Sequence, residues 1–128
     1  MKKQAFNPYL PSYEYVPDGE PYVFGDRVYV FGSHDAFGGD DFCVNDYVCW
    51  SAPTEELGDW KYEGVIFRST QDPRMDGKHM PMNAPDVCQG PDGRFYLYLQ
   101  VSMQTVTTVA VADQPQGPYE FYGHVKHK

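Results

Sequence analysis

The sequence predicts an all-β protein made of β-propeller blades, four-stranded antiparallel sheets, with two blades in the chain. Three observations carry this. Aromatic residues make up 16% of the 128 residues, with 11 Tyr and 8 Phe, and such side chains suit a pleated, half-buried surface. The 12 Gly and 11 Pro mark turns about every ten residues, and no window combines a 3.6-residue apolar period with caps at both ends. Finally, one plan of four short strands recurs with a period of about 60 to 68 residues.

In order, residues 1–14 are polar and broken by proline (Asn7-Pro8-Tyr9-Leu10-Pro11), an extended leading segment. Residues 20–24 and 27–33 predict a hairpin around a tight Gly25-Asp26 turn. In its second arm Val28, Val30 and Gly32 face one way, and Tyr29, Phe31 and Ser33 the other. After a polar loop, Ala36 to Asp41, a third strand covers Asp46 to Ser51 and a fourth Trp60 to Phe67. The second unit repeats the plan over Ala84–Gln89, Arg94–Ser102, Thr105–Ala112 and Pro118–Val125. Trp60-Lys61-Tyr62-Glu63-Gly64 and Tyr119-Glu120-Phe121-Tyr122-Gly123 share an aromatic–charge–aromatic pattern ending in Gly.

One partial propeller domain therefore spans 1–128, with a first blade at about 14–67, a connecting loop at 68–82 and a second blade at 83–128. Propeller blades cover their faces against neighbouring blades, and two cannot close a ring. The expectation is a piece of a longer fold, or self-association through the open blade faces. The alternative is an eight-stranded β-sandwich in which the repeat is accidental.

The net charge of −8, with Lys and Arg unclustered apart from Lys2-Lys3 and Lys126-His127-Lys128, argues against a nucleic-acid partner. Neither a signal peptide nor an apolar span follows Met1, so no membrane partner and a cytoplasmic location are expected, unless a leader has been removed. Cys43, Cys49 and Cys88 lack metal-ligand spacing and are read as buried free thiols.

The feature richest in chemistry is a pair of acids. Asp18 and Asp86 open equivalent strands of the two units, each after a proline that fixes φ (Pro17, Pro85). Equivalent strand starts converge on one central pocket in a propeller, and two carboxylates brought together there are the material of acid/base chemistry. The competing reading of each is turn chemistry, since Asp favours turns on its own account.

Asn7-Pro8-Tyr9-Leu10-Pro11, Pro17-Asp18-Gly19-Glu20-Pro21, Val28-Tyr29-Val30-Phe31-Gly32-Ser33-His34-Asp35 and Ala84-Pro85-Asp86-Val87 together resemble the start of a glycoside hydrolase of family 43. That resemblance implies two blades of a five-bladed propeller, acting with inversion on arabinofuranosyl or xylosyl linkages. It implies Asp18 as the general base and Asp86 as the aspartate that orients the proton donor and raises its pKa. Inversion needs a base and an acid about 6.5–9.5 Å apart with a water between them. The family's acid is a glutamate of a later blade. The only glutamate after Asp86 is Glu120, in the last strand of the second unit, and it is not assigned that role.

The chain alone is therefore expected to lack a complete catalytic set. The substrate would be an oligo- or polysaccharide or an aryl glycoside, with no cofactor. His34 and Asp35, ending a strand, are candidates for lining the sugar pocket, with a loop cap as the alternative for Asp35. Trp50 is a candidate sugar-stacking ring, with strand core as its alternative. Asp40, Asp41 and Asp46 match no calcium loop, so no metal site is predicted. His79 and the methionines of the 71–80 loop approach the substrate in the boldest reading. Two other classes remain: a non-catalytic carbohydrate-binding module, and a related five-bladed fructosidase or mannoside phosphorylase.

Overall fold

The computed structural model describes residues 7–41, 43–102 and 104–126. Lys2-Lys3 and the terminal His127-Lys128 lie outside the described residues. The strands are β1 (Glu20–Phe24), β2 (Arg27–His34), β3 (Asn45–Pro53), β4 (Lys61–Phe67), β5 (Asp86–Gln89), β6 (Phe95–Leu99), β7 (Val106–Ala112) and β8 (Glu120–Lys126). They form two antiparallel sheets of four, ordered β1-β2-β3-β4 and β5-β6-β7-β8. Each sheet is a meander of consecutive strands, the predicted blade pattern. β5 opens at Asp86 rather than Ala84, and β6 closes at Leu99 rather than Ser102.

Local chemistry sets this pattern. Gly25, at φ 65°, takes the left-handed position of the two-residue β1–β2 turn, which a side chain would disfavour. The register pairs Tyr22 with Tyr29 and Glu20 with Phe31, so the alternation of β1 puts Glu20, Tyr22 and Phe24 on one face. That face meets sheet 2. Tyr29, Phe31, Tyr47, Cys49 and Ile66 of sheet 1 form one buried cluster with Val87, Leu97, Leu99, Ala110 and Tyr119 of sheet 2. Phe24 and Phe95 meet edge-on across this interface at 5.0 Å.

The opposite face of sheet 1 carries Val28, Val30, Gly32 and Trp50, and the leading segment lies on it. A Cβ on Gly32 would collide with the Val16 side chain, so glycine here is what admits that segment. Tyr9 packs on Trp60 at 5.0 Å.

The connection between sheets is two short 3-10 turns, Ser69–Gln71 and Pro73–Met75, with Ser69, Asp72 and Met75 buried. Asp46 of β3 clamps its start, accepting from the Ser69 N–H at 3.1 Å and pairing with Arg68 at 3.1 Å. Asp72 anchors its middle to sheet 2, accepting from the Thr108 hydroxyl at 2.5 Å and the Arg74 N–H at 2.9 Å, with His124 Nε2 at 3.0 Å. Burial pushes the Asp72 carboxyl up, but these three hydrogen bonds outweigh it and hold the group below the usual carboxylate value.

One thiol departs from expectation: Cys43 and Cys49 are buried, but Cys88 is exposed. Period-2 alternation explains it, because buried Val87 turns its neighbour to the other face of β5. Among the described residues no helix is long and apolar enough to cross a membrane.

Candidate active site

The leading ends of β1 and β5 meet in a cleft of about 510 Å³ lined by Pro17, Asp18, Gly19, Glu20, Ala84, Pro85 and Asp86. Both acids of the repeated motif thus reach one space, each from a different sheet. The immediate cause is backbone geometry: each acid follows a proline and precedes or opens the first strand of its sheet.

The two carboxylates are held differently. Asp18 Oδ2 accepts from the Ser33 hydroxyl at 2.8 Å, a bond within sheet 1 between the start of β1 and the end of β2. Asp86 Oδ1 accepts from the Tyr22 hydroxyl at 2.5 Å, a bond across the two sheets. Tyr22 also lies 3.1 Å from Glu20 Oε2, so one phenol serves two cleft acids. The Asp86 hydrogen bond, then burial and the Glu20 contact, push the Tyr22 hydroxyl far above the ordinary tyrosine value. Tyr22 therefore stays a donor to these carboxylates. Tyr22 is not among the site residues that the sequence predicts. The signal that finds it is parity: Glu20, Tyr22 and Phe24 share the face that meets sheet 2.

The other sequence-predicted residues sit elsewhere. His34 Nε2 lies 3.6 Å from Glu14 Oε1, and the Trp50 indole N–H donates to Glu14 Oε2 at 3.0 Å. Trp50 is buried beside Tyr62 on the face under the leading segment, and the cleft lining does not include it. Both side chains thus engage one carboxylate of that segment instead of the cleft. Asp35 is closer to its alternative reading, since its Oδ1 accepts from the Cys43 N–H at 2.5 Å and ties the following loop. It does line a neighbouring groove with Tyr15, Pro17 and Phe37.

His79 is fixed by Ser69 Oγ at 3.2 Å and the Val44 carbonyl at 2.7 Å, which makes it a pin for the connecting loop. Of the loop's methionines, Met75 is buried in the core and Met80 packs half-buried against it. Glu120 opens β8, the last strand of its meander, and is exposed. Among the described residues no group of three His, Cys, Asp or Glu could hold a metal ion.

Comparison with known proteins bears on this cleft. No family model matches the chain. A curated protein named xylosidase/arabinosidase from Thermoclostridium stercorarium is 60% identical over 127 residues, 99% of this chain and 27% of that protein. Another of the same name from Bacteroides ovatus is 31% identical over 87% of this chain and 36% of its own length. Among solved structures, a family 43 (GH43) enzyme from Xanthomonas citri complexed with xylose superposes with a TM-score of 0.72 at 26% identity, covering 88% of this chain and 33% of that one. A GH43 β-1,3-galactosidase superposes with a TM-score of 0.68 at 27% identity, over 85% of this chain and 33% of that one.

The chain is similar to part of these xylosidase/arabinosidase relatives and of the solved family 43 glycoside hydrolases. It spans about a quarter to a third of the curated relatives it matches, and its two sheets correspond to part of a GH43 propeller.

Proposed function

We propose that this chain supplies two of the three carboxylates of an inverting glycosidase cleft, for hydrolysis of arabinofuranosyl or xylosyl linkages. The observation that carries the reading is the single cleft lined by both Asp18 and Asp86. The relatives' name, xylosidase/arabinosidase, supports the linkage class.

In this reading Asp18 takes a proton from the water that attacks the anomeric carbon. Ser33 holds Oδ2, fixing the plane of the carboxylate while the water's proton goes to the base. The glycosidic bond breaks as its oxygen gains a proton from a carboxylic acid contributed from outside these two sheets. Asp86 orients that acid and keeps it protonated, because a neighbouring negative charge disfavours its ionisation. Tyr22 in turn fixes Asp86.

The test uses chromogenic aryl arabinofuranosides and xylosides. The 128-residue chain alone is expected to give no turnover. In a polypeptide that carries these residues within a closed propeller, Asp18→Asn abolishes turnover and Asp86→Asn lowers it roughly 10²- to 10⁴-fold. Robust turnover by the chain alone, lost in Asp18→Asn, would overturn the incomplete-set reading. Full activity of Asp18→Asn in the closed propeller would overturn the base assignment.

A further inference from the structure

Asp18 stands on a segment that belongs to no strand. Residues 14–19 run over sheet 1 outside its ladder, and β1 begins at Glu20. The place of the carboxylate is therefore set by what this strap touches, and the contacts come from both faces of the sheet. From the inner face, the Ser33 hydroxyl donates to Asp18 Oδ2 at 2.8 Å. On the far face, Val16 and Gly19 lie against Gly32. At the end of β2, the Asp35 N–H donates to the Tyr15 carbonyl at 2.9 Å.

Glu14 fastens the upstream end of the strap. Its Oε2 accepts from the Trp50 indole N–H at 3.0 Å, and its Oε1 lies 3.6 Å from His34 Nε2. The Glu14 side chain is 9% exposed, so its carboxylate has largely left water and depends on these two partners. A solvated glutamate on a loop would have no such seat.

The seat itself is rigid. Trp50 pairs with Val30 in the middle of the β2–β3 ladder, is buried, and packs on Tyr62 at 5.1 Å. Four residues separate Glu14 from Asp18, and Pro17 fixes φ directly before the acid, which leaves the strap little slack. Glu14 does not line the cleft, so its effect on the chemistry there passes through the strap.

We propose that Glu14, latched to Trp50 and His34, is a positioning residue for Asp18. It fixes the strap from the far face of sheet 1, while Ser33 fixes the carboxylate from the inner face. This rests on Asp18 being the base, as proposed above. A base misplaced by about 1 Å costs on the order of 10²-fold in rate.

The experiment is steady-state kinetics on aryl arabinofuranosides and xylosides, in a polypeptide that carries these residues within a closed propeller. Glu14→Ala is expected to lower kcat roughly 10- to 100-fold with KM within about twofold of the parent. Trp50→Phe, which removes the indole N–H and keeps an aromatic ring, is expected to lower kcat roughly three- to tenfold, again with KM unchanged. Glu14→Gln keeps an oxygen for the indole N–H and is expected to stay within about threefold of the parent. Amide NMR of the 128-residue chain reads the placement directly: Glu14→Ala is expected to shift Val16, Asp18 and Gly19 and to leave the amides of β5 to β8 in place. Parent-like kcat in both Glu14→Ala and Trp50→Phe, or Asp18 and Gly19 amides unmoved in Glu14→Ala, would overturn the latch and leave the base reading standing. Full activity of Asp18→Asn would overturn the base reading, and the role of the latch in catalysis with it.

Discussion

The two sheets share a strand order and a four-strand meander, yet they differ in what covers them and in how each holds its acid. Sheet 1 carries the leading segment on its far face, with Val16 over Gly32 and Glu14 bonded to Trp50. The corresponding face of sheet 2 exposes Cys88, Tyr98 and Tyr122. Asp18 is held by Ser33 of its own sheet, whereas Asp86 is held by Tyr22 of the other. Both acids stand at the leading end of their sheet, Asp18 in the turn before β1 and Asp86 as the first residue of β5. Their partners make them unequal in chemistry, which is what two carboxylates need in order to take different roles at one site.

The largest effect separates inner from outer faces. Phe31 is fully buried between the sheets, and Phe31→Ala is expected to cost about 3–5 kcal/mol, transfer and cavity terms together. Tyr98 lies on the far face of sheet 2 at 39% exposed, and Tyr98→Ala is expected to cost under about 1 kcal/mol. Urea unfolding of the two variants checks this. Equal costs would mean that the far face of sheet 2 is as covered as the interface.

The next effect compares the two clamps of the connecting loop. Asp72 is buried and accepts from Thr108, Arg74 and His124, while the Arg68 partner of Asp46 is largely exposed. Asp72→Asn is expected to cost about 1–3 kcal/mol at pH 6, and Asp46→Asn less. Because the folded Asp72 carboxyl titrates below its unfolded value of about 3.9, its stabilisation is complete above that value. It is lost as pH falls through the lower folded value. Thermal unfolding between pH 6 and pH 2 should fall less steeply in Asp72→Asn than in the parent chain. Parallel curves would remove Asp72 from the acid response.

The strands were legible in the sequence because period-2 alternation and Gly/Pro turns are local signals, and Gly25-Asp26 sits where the register puts the hairpin end. The paired acids were legible because the repeat marks them. What escaped was set by contacts between distant segments. Glu14, read as part of a polar leader, claims the polar atoms of both His34 and Trp50. Cys88, expected to be buried, is exposed, because its neighbour Val87 takes the inner face and adjacent residues in a strand face opposite ways. Tyr22 reaches Asp86 across 64 residues, and nothing near it in sequence announces its partner.

The smallest effect tests that last contact against its counterpart in sheet 1. The Asp86 carboxylate accepts the Tyr22 proton and is the leading cause of the raised phenol, so the neutral phenol is favoured in the folded chain. Its contribution to stability is present below the unfolded value of about 10 and is lost as pH rises through the higher folded one. Asp86→Asn removes the charge and is expected to bring Tyr22 down towards an ordinary tyrosine titration. Ser33→Ala removes only the Asp18 partner and is expected to leave Tyr22 where it was. Carbon-13 NMR of the labelled tyrosine rings, followed between pH 8 and pH 11, distinguishes the two, with Tyr22 identified by its loss in Tyr22→Phe. If both substitutions moved Tyr22 alike, the two acids would share one network, and the division of labour between the sheets would fail. If only Asp86→Asn moves it, the cross-sheet bond is specific to one acid of the pair.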